Sequence, residues 1–115
     1  MTIYISLPIT GYDLEERRLV AESAQRILQE RYADARVVSP FDVGDYVEAM
    51  NPRADYSDYM KEDIALIIDQ ADVVCFLVSP FLTRSKGVKL EWRTAQIYGK
   101  RMMRLRTRLW KRRQH

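Results

Sequence analysis

Apolar residues along the chain fall into two textures, short dense runs and sparser stretches with a spacing of three to four. Thr2-Ile3-Tyr4-Ile5-Ser6 and Val73-Val74-Cys75-Phe76-Leu77-Val78 are dense, β-branched and aromatic, and turn residues follow each of them. Such runs predict strands, the second of them buried on both faces. Arg36-Val37-Val38-Ser39-Pro40 predicts a further short strand stopped by proline, and Arg101 to Leu105 a last one. Asp13 to Tyr32 reads as a helix with Val20, Ala24, Ile27 and Leu28 on its apolar stripe and Glu15, Glu16, Arg17, Arg18, Glu22, Arg26 and Glu30 largely outward. Asp58 to Gln70 reads as another, with Ile64, Ile67, Ile68 and Ala71 on one face and Tyr59 and Asp63 on the neighbouring one. A third opens at Ser85-Lys86-Gly87, contains Glu91 and stops at Gly99. Residues 40–58 hold turn formers, acids and aromatics with little periodicity, and are expected to be an irregular connection. Strands and helices alternating at these lengths call for an α/β fold, a parallel sheet of four or five strands with helices on both faces.

At 115 residues the chain is read as one domain, residues 1–105, followed by a basic tail, residues 106–115. So small a domain has little room for an active site built by one subunit, so a homo-oligomer is expected. With 47% hydrophobic and 30% charged residues, no leader-like start and no apolar stretch of membrane length, it reads as a cytoplasmic protein without a membrane partner. The net charge of +3 hides an asymmetry: residues 100–115 carry eight Lys or Arg and no acid, and the first 99 residues hold eleven basic groups against sixteen acids. The tail is a candidate for contacting nucleic acid phosphates, with Trp110 to stack on bases. A solvated arm, or one docked on an acidic neighbouring subunit, is the simpler explanation.

Cys75 stands alone inside a predicted strand and is expected to be inert core; the single histidine is His115. Neither a disulfide framework nor a Cys/His metal cluster can be assembled from these residues, and Ser-His and Cys-His nucleophile pairs are excluded. Neither Walker A nor G-x-G-x-x-G is present, so no metal and no cofactor are expected. Carboxylates and tyrosines remain as chemical groups. Glu91 has Gly87, Val88, Thr94 and Ala95 as its helical neighbours, so no cation pairs with it at that spacing. Near a helix start, at the end of the sheet where open α/β folds bind ligands, the helix dipole would favour its ionised form, as a nucleophile requires. Asp63 likewise has no helical cation beside it and borders an apolar stripe, the setting of a proton donor with a raised pKa. The plain alternative for both is a solvated helical acid. Tyr46 and Tyr56 could stack on a planar ligand or cover a sheet edge or subunit contact.

Several of these residues together form a recognisable pattern: Ile3-Tyr4-Ile5-Ser6 with Pro8-Ile9-Thr10-Gly11, Ser39-Pro40, Tyr59-Met60 with Asp63-Ile64, Ala71-Asp72, and Ser85-Lys86-Gly87 with Glu91, Ala95 and Gly99-Lys100. The pattern resembles the nucleoside 2-deoxyribosyltransferase superfamily, and within it a small branch designated a domain of unknown function and met in phage and mobile-element genomes. The resemblance implies a flavodoxin-like three-layer sandwich, oligomers in which a neighbour lines each site, and a nucleoside or nucleotide substrate. It implies Glu91 as nucleophile, Tyr4 as the group that orients it, and Asp63 as the acid near the leaving base. Substrate contacts are expected from Ser6, Pro8, Thr10, Gly11, Tyr59, Ser85 and Gly87, with Ser6, Thr10 and Gly11 available to a 5′-phosphate. Two departures stand out. Ser85 replaces an Asp that the transferases carry six residues before the nucleophile, and Leu7-Pro8 replaces a small or glycine-rich loop. The expected activity is N-glycoside cleavage or deoxyribosyl transfer; the alternatives are a nucleotide-binding module without turnover and a nucleic-acid-associated protein.

Overall fold

The computed structural model describes residues 1–78 and 84–106. Its elements are β1 (Thr2–Ser6), α1 (Leu14–Arg31), β2 (Arg36–Val38), α2 (Pro40–Met50), α3 (Tyr56–Asp69), β3 (Val73–Leu77), α4 (Lys86–Ile97) and β4 (Arg101–Leu105). The four strands form one all-parallel sheet in the order β2-β1-β3-β4, with Ile3 opposite both Val37 and Val73, and Cys75 opposite Met103. This is a flavodoxin-like three-layer α/β sandwich. The basic tail beyond Arg106, with Trp110, and most of the loop between β3 and Ser85 lie outside the described residues.

Strand pleating divides the core in two. Ile3, Ile5, Cys75, Leu77 and Leu105 point to one side, where Val20, Ala21, Ala24 and Leu28 of α1 cover them. Tyr4, Val74 and Phe76 point to the other, against Val43 and Val47 of α2, Ile67 of α3 and Val88 and Ala95 of α4. Burial pushes the Cys75 thiol up to about 12, consistent with a core role. Among the described residues no helix is long and apolar enough to cross a membrane.

Two expectations need correction. Residues 40–50 are not irregular but form α2, started by a capping box in which Ser39 Oγ accepts the Phe41 and Asp42 N–H groups and Asp42 accepts the Ser39 N–H. Pro40 suits the first turn, where its missing N–H would have no helical partner. Arg17 does not face outward. It is buried, with its guanidinium 4.4 Å from the Tyr12 ring centre and Nη2 donating to Glu16 at 2.7 Å.

Candidate active site

The strand order reverses between β1 and β3, and a cleft of about 820 Å3 opens beyond the carboxyl ends of the strands. Leu7, Ile9, Phe41, Met60 and Val88 supply apolar wall, and Asp63 and Glu91 supply the two buried acids.

Glu91 is the sixth residue of α4 and is 4% exposed. Helix α4 begins where it does because Ser85 caps it, accepting the Val88 N–H at 3.2 Å. Its buried positions Val88, Glu91, Thr94 and Ala95 recur at three and four, so the carboxylate comes from the face that packs on the sheet. Strand β1 supplies what receives it: Tyr4 Oη donates to Glu91 Oε2 at 2.5 Å, and Ser6 Oγ donates to Oε1 at 2.7 Å. Residues two apart on a strand share a face, so the Tyr-x-Ser spacing turns both hydroxyls to the side of the sheet from which Glu91 comes.

Asp63 comes from α3, whose buried positions are Asp63 and Ile67, one turn apart. It is 6% exposed, and its Oδ1 has no hydrogen-bond partner among the described residues. Leaving such an oxygen unsatisfied costs about 1–3 kcal/mol, which a substrate donor or water at the wall would offset. Burial, reinforced by the nearby Glu91 charge, pushes the Asp63 carboxyl up to about 8 against an opposing hydrogen-bond interaction with Tyr4. Burial pushes Glu91 up to about 7 against the hydrogen bonds from Tyr4 and Ser6. The Tyr4 hydroxyl is held well above its ordinary value, by burial first and then by the two carboxylates, so it stays a donor. Like charges repel within one buried site, so the pair ionises in two steps, and the hydrogen bonds that Glu91 accepts from Tyr4 and Ser6 favour it as the carboxylate.

The ionising influence expected of the helix dipole is therefore outweighed by desolvation. Glu91 lies beyond the first turn, where the dipole effect has faded.

The structure brings Tyr59, Ser85, Gly87 and Thr10 to the cleft together with the two acids. Tyr59 donates to Glu48 at 2.8 Å, and a Cβ added at Gly44 of α2 would stand 3.8 Å from its ring. Around the first loop, Ser6 is fully buried and donates to Glu91; the Pro8 ring is packed in the core; Gly11 is exposed, with φ +88° and open space around it, and is not among the residues that line the cleft. The start of α1, where Thr10 and Gly11 were available to a phosphate, is occupied by the chain's own acids: Asp13 caps it by accepting the Glu15 N–H, and Glu15 and Glu16 fill the first turn. Tyr56 lines the cleft; Tyr46 does not.

Sequence reasoning missed Arg18, whose guanidinium reaches from α1 to the cleft wall and pairs with both Asp45 oxygens at 3.0 Å over the Phe41 ring. Nothing in a charged helical face distinguishes such a residue from its solvated neighbours. Among the described residues no group of three or more His, Cys, Asp or Glu is placed to hold a metal ion.

Nothing among curated proteins or solved structures matches the chain. Residues 1–104, nearly the whole length, match a family described as a domain of unknown function (DUF4406). With the cleft, its acid pair and all of the sheet but Leu105 inside that span, the chain belongs to the DUF4406 family.

Proposed function

We propose that the chain cleaves the C–N bond of (deoxy)nucleosides or nucleoside 5′-monophosphates, as a hydrolase or a deoxyribosyltransferase, in the manner of the nucleoside 2-deoxyribosyltransferase superfamily that its sequence resembles. The observation that carries the reading is the Glu91 carboxylate gripped by Tyr4 and Ser6 at the cleft wall, with a second, more basic carboxyl at Asp63 beside it.

The chemistry parallels a retaining glycosidase. Ionised Glu91 attacks C1′ through an oxocarbenium-like transition state and forms a C1′–O bond. The C1′–N bond breaks, its electron pair stays on the base nitrogen, and Asp63 delivers a proton to the departing base. Water, or a second base, then attacks C1′ and frees Glu91, and the proton it sheds returns to Asp63. Tyr4 and Ser6 hold the nucleophile in one orientation throughout. A 2′-deoxy sugar is the better substrate on chemical grounds, since a 2′-hydroxyl destabilises positive charge at C1′.

Ser85, standing where the transferases have an acid, favours a second reading, a nucleotide-binding module without turnover. Incubation with a panel of nucleosides and monophosphates, followed by chromatography for free base, separates the two. Base released from any of them supports the first; saturable binding with no release supports the second.

A further inference from the structure

The charge asymmetry of the chain breaks not at the tail but at the cleft. Residues 84–115 hold twelve Lys or Arg and one acid, the buried Glu91, and residues 1–83 hold seven against fifteen acids. Within the described part, Lys86, Lys89 and Arg93 recur at three and four along α4 and are all exposed, a row of about 10 Å on one helical face. Lys100, half-buried, follows the helix end. Pairing of Val74 with Met102 and of Phe76 with Arg104 puts those two β4 residues on the α4 side of the sheet, where Arg104 stands 5.9 Å from the Trp92 ring centre. Trp92 is partly buried and packs on Phe76 at 4.9 Å. None of Lys86, Lys89, Arg93, Lys100 or Arg104 makes an ion pair among the described residues; Arg101 is left out of the row because Asp72 adjoins it.

We infer that the α4–β4 face binds single-stranded nucleic acid, its cation row following the phosphates and Trp92 with Arg104 offering a stacking platform. A polyanion matches a face whose five cations form no ion pair among the described residues. A symmetric dimer through the same face would set like charges against each other. The partly exposed indole beside a guanidinium suits an unpaired base, which a duplex does not offer. Lys86 also lines the cleft, so a strand on this face ends at the cleft mouth. The inference stands independently of base release.

The test is fluorescence anisotropy of a labelled single-stranded DNA of about 20 nucleotides with the full chain, titrated across salt, for wild type, K89E/R93E and R112E/R113E. Neutralising four or five phosphates gives a log–log salt slope of about −3. K89E/R93E should weaken binding at least about tenfold with an unchanged thermal melt, R112E/R113E should weaken it less, and the annealed duplex should bind less tightly than the strand. Should K89E/R93E fold poorly, K89Q/R93Q replaces it. The inference is overturned by absent or salt-insensitive binding, by loss in the tail variant alone, by tighter binding of duplex, or by K89E/R93E changing the sedimentation of the protein without any DNA affinity to lose.

Discussion

Tyr4 and Glu91, 87 positions apart, are joined by a 2.5 Å hydrogen bond in the buried interior, the phenol donating and the carboxylate accepting. The bond ties the opening strand to the helix that follows β3, across the point where the sheet order reverses. A buried hydrogen bond to a charged group is worth about 1.5–3 kcal/mol.

Tyr4→Phe is expected to fold, to raise the Glu91 pKa further and to slow base release about 10- to 100-fold at pH 7. Ser6→Ala should act in the same direction through the other oxygen. Turnover per folded molecule, with folded fraction taken from a thermal melt, checks both. Normal turnover in Tyr4→Phe would reduce Tyr4 to a packing residue.

Stability should fall as pH rises. Both acids have folded-state values, about 7 for Glu91 and about 8 for Asp63, above the 4.5 and 3.8 of the free side chains. The folded state therefore binds protons more tightly, and that contribution is complete below about pH 4 and lost as pH climbs through 7 to 8. Asp63→Asn carries no charge at any pH, so its profile should be shallower and it should exceed wild type at pH 8.5 by on the order of 2 kcal/mol. Urea denaturation across pH checks this, and a wild-type profile rising over pH 5–8 would contradict it.

The rate should follow a bell. The proposed chemistry needs Glu91 ionised and Asp63 protonated, so kcat/KM for base release should peak between about 7 and 8 and fall on either side. Asp63→Asn should depress the rate and abolish the alkaline limb. A profile flat from pH 5 to 9 would remove the two carboxyls from the rate-determining chemistry.

Gly87 lines the cleft in the first turn of α4, and an added Cβ would meet the Tyr56 hydroxyl at 3.5 Å and Met60 Sδ and Cε at 3.7 and 3.9 Å, all ordinary van der Waals contacts. Gly87→Ala should thus be tolerated, stabilising the helix by roughly 0.5–1 kcal/mol. The methyl group takes space from the substrate, so KM should rise. A variant less stable than wild type would show that the backbone needs glycine there.

The strands, three of the helices and the two acids at the cleft were legible because each signal is local: a dense apolar run, a stripe at three and four, an acid without a helical cation. Helix α2 was not, since Gly44 interrupts an already sparse stripe; the Ser39-Pro40-Phe41-Asp42 start was the available signal. Burial of Arg17 in a charged face depends on Tyr12 and tertiary packing that spacing does not encode. The bond from Ser6 to Glu91 was not legible, because the partner lies 85 positions away, beyond the reach of any local pattern.

The most direct measurement is intact and peptide mass spectrometry of the protein quenched during turnover of a 2′-deoxynucleoside or its monophosphate, on wild type and Glu91→Gln. A pentosyl adduct on the peptide containing Glu91, absent from Glu91→Gln together with base release, is the predicted result. Full base release by Glu91→Gln, or an adduct on another residue, would contradict it.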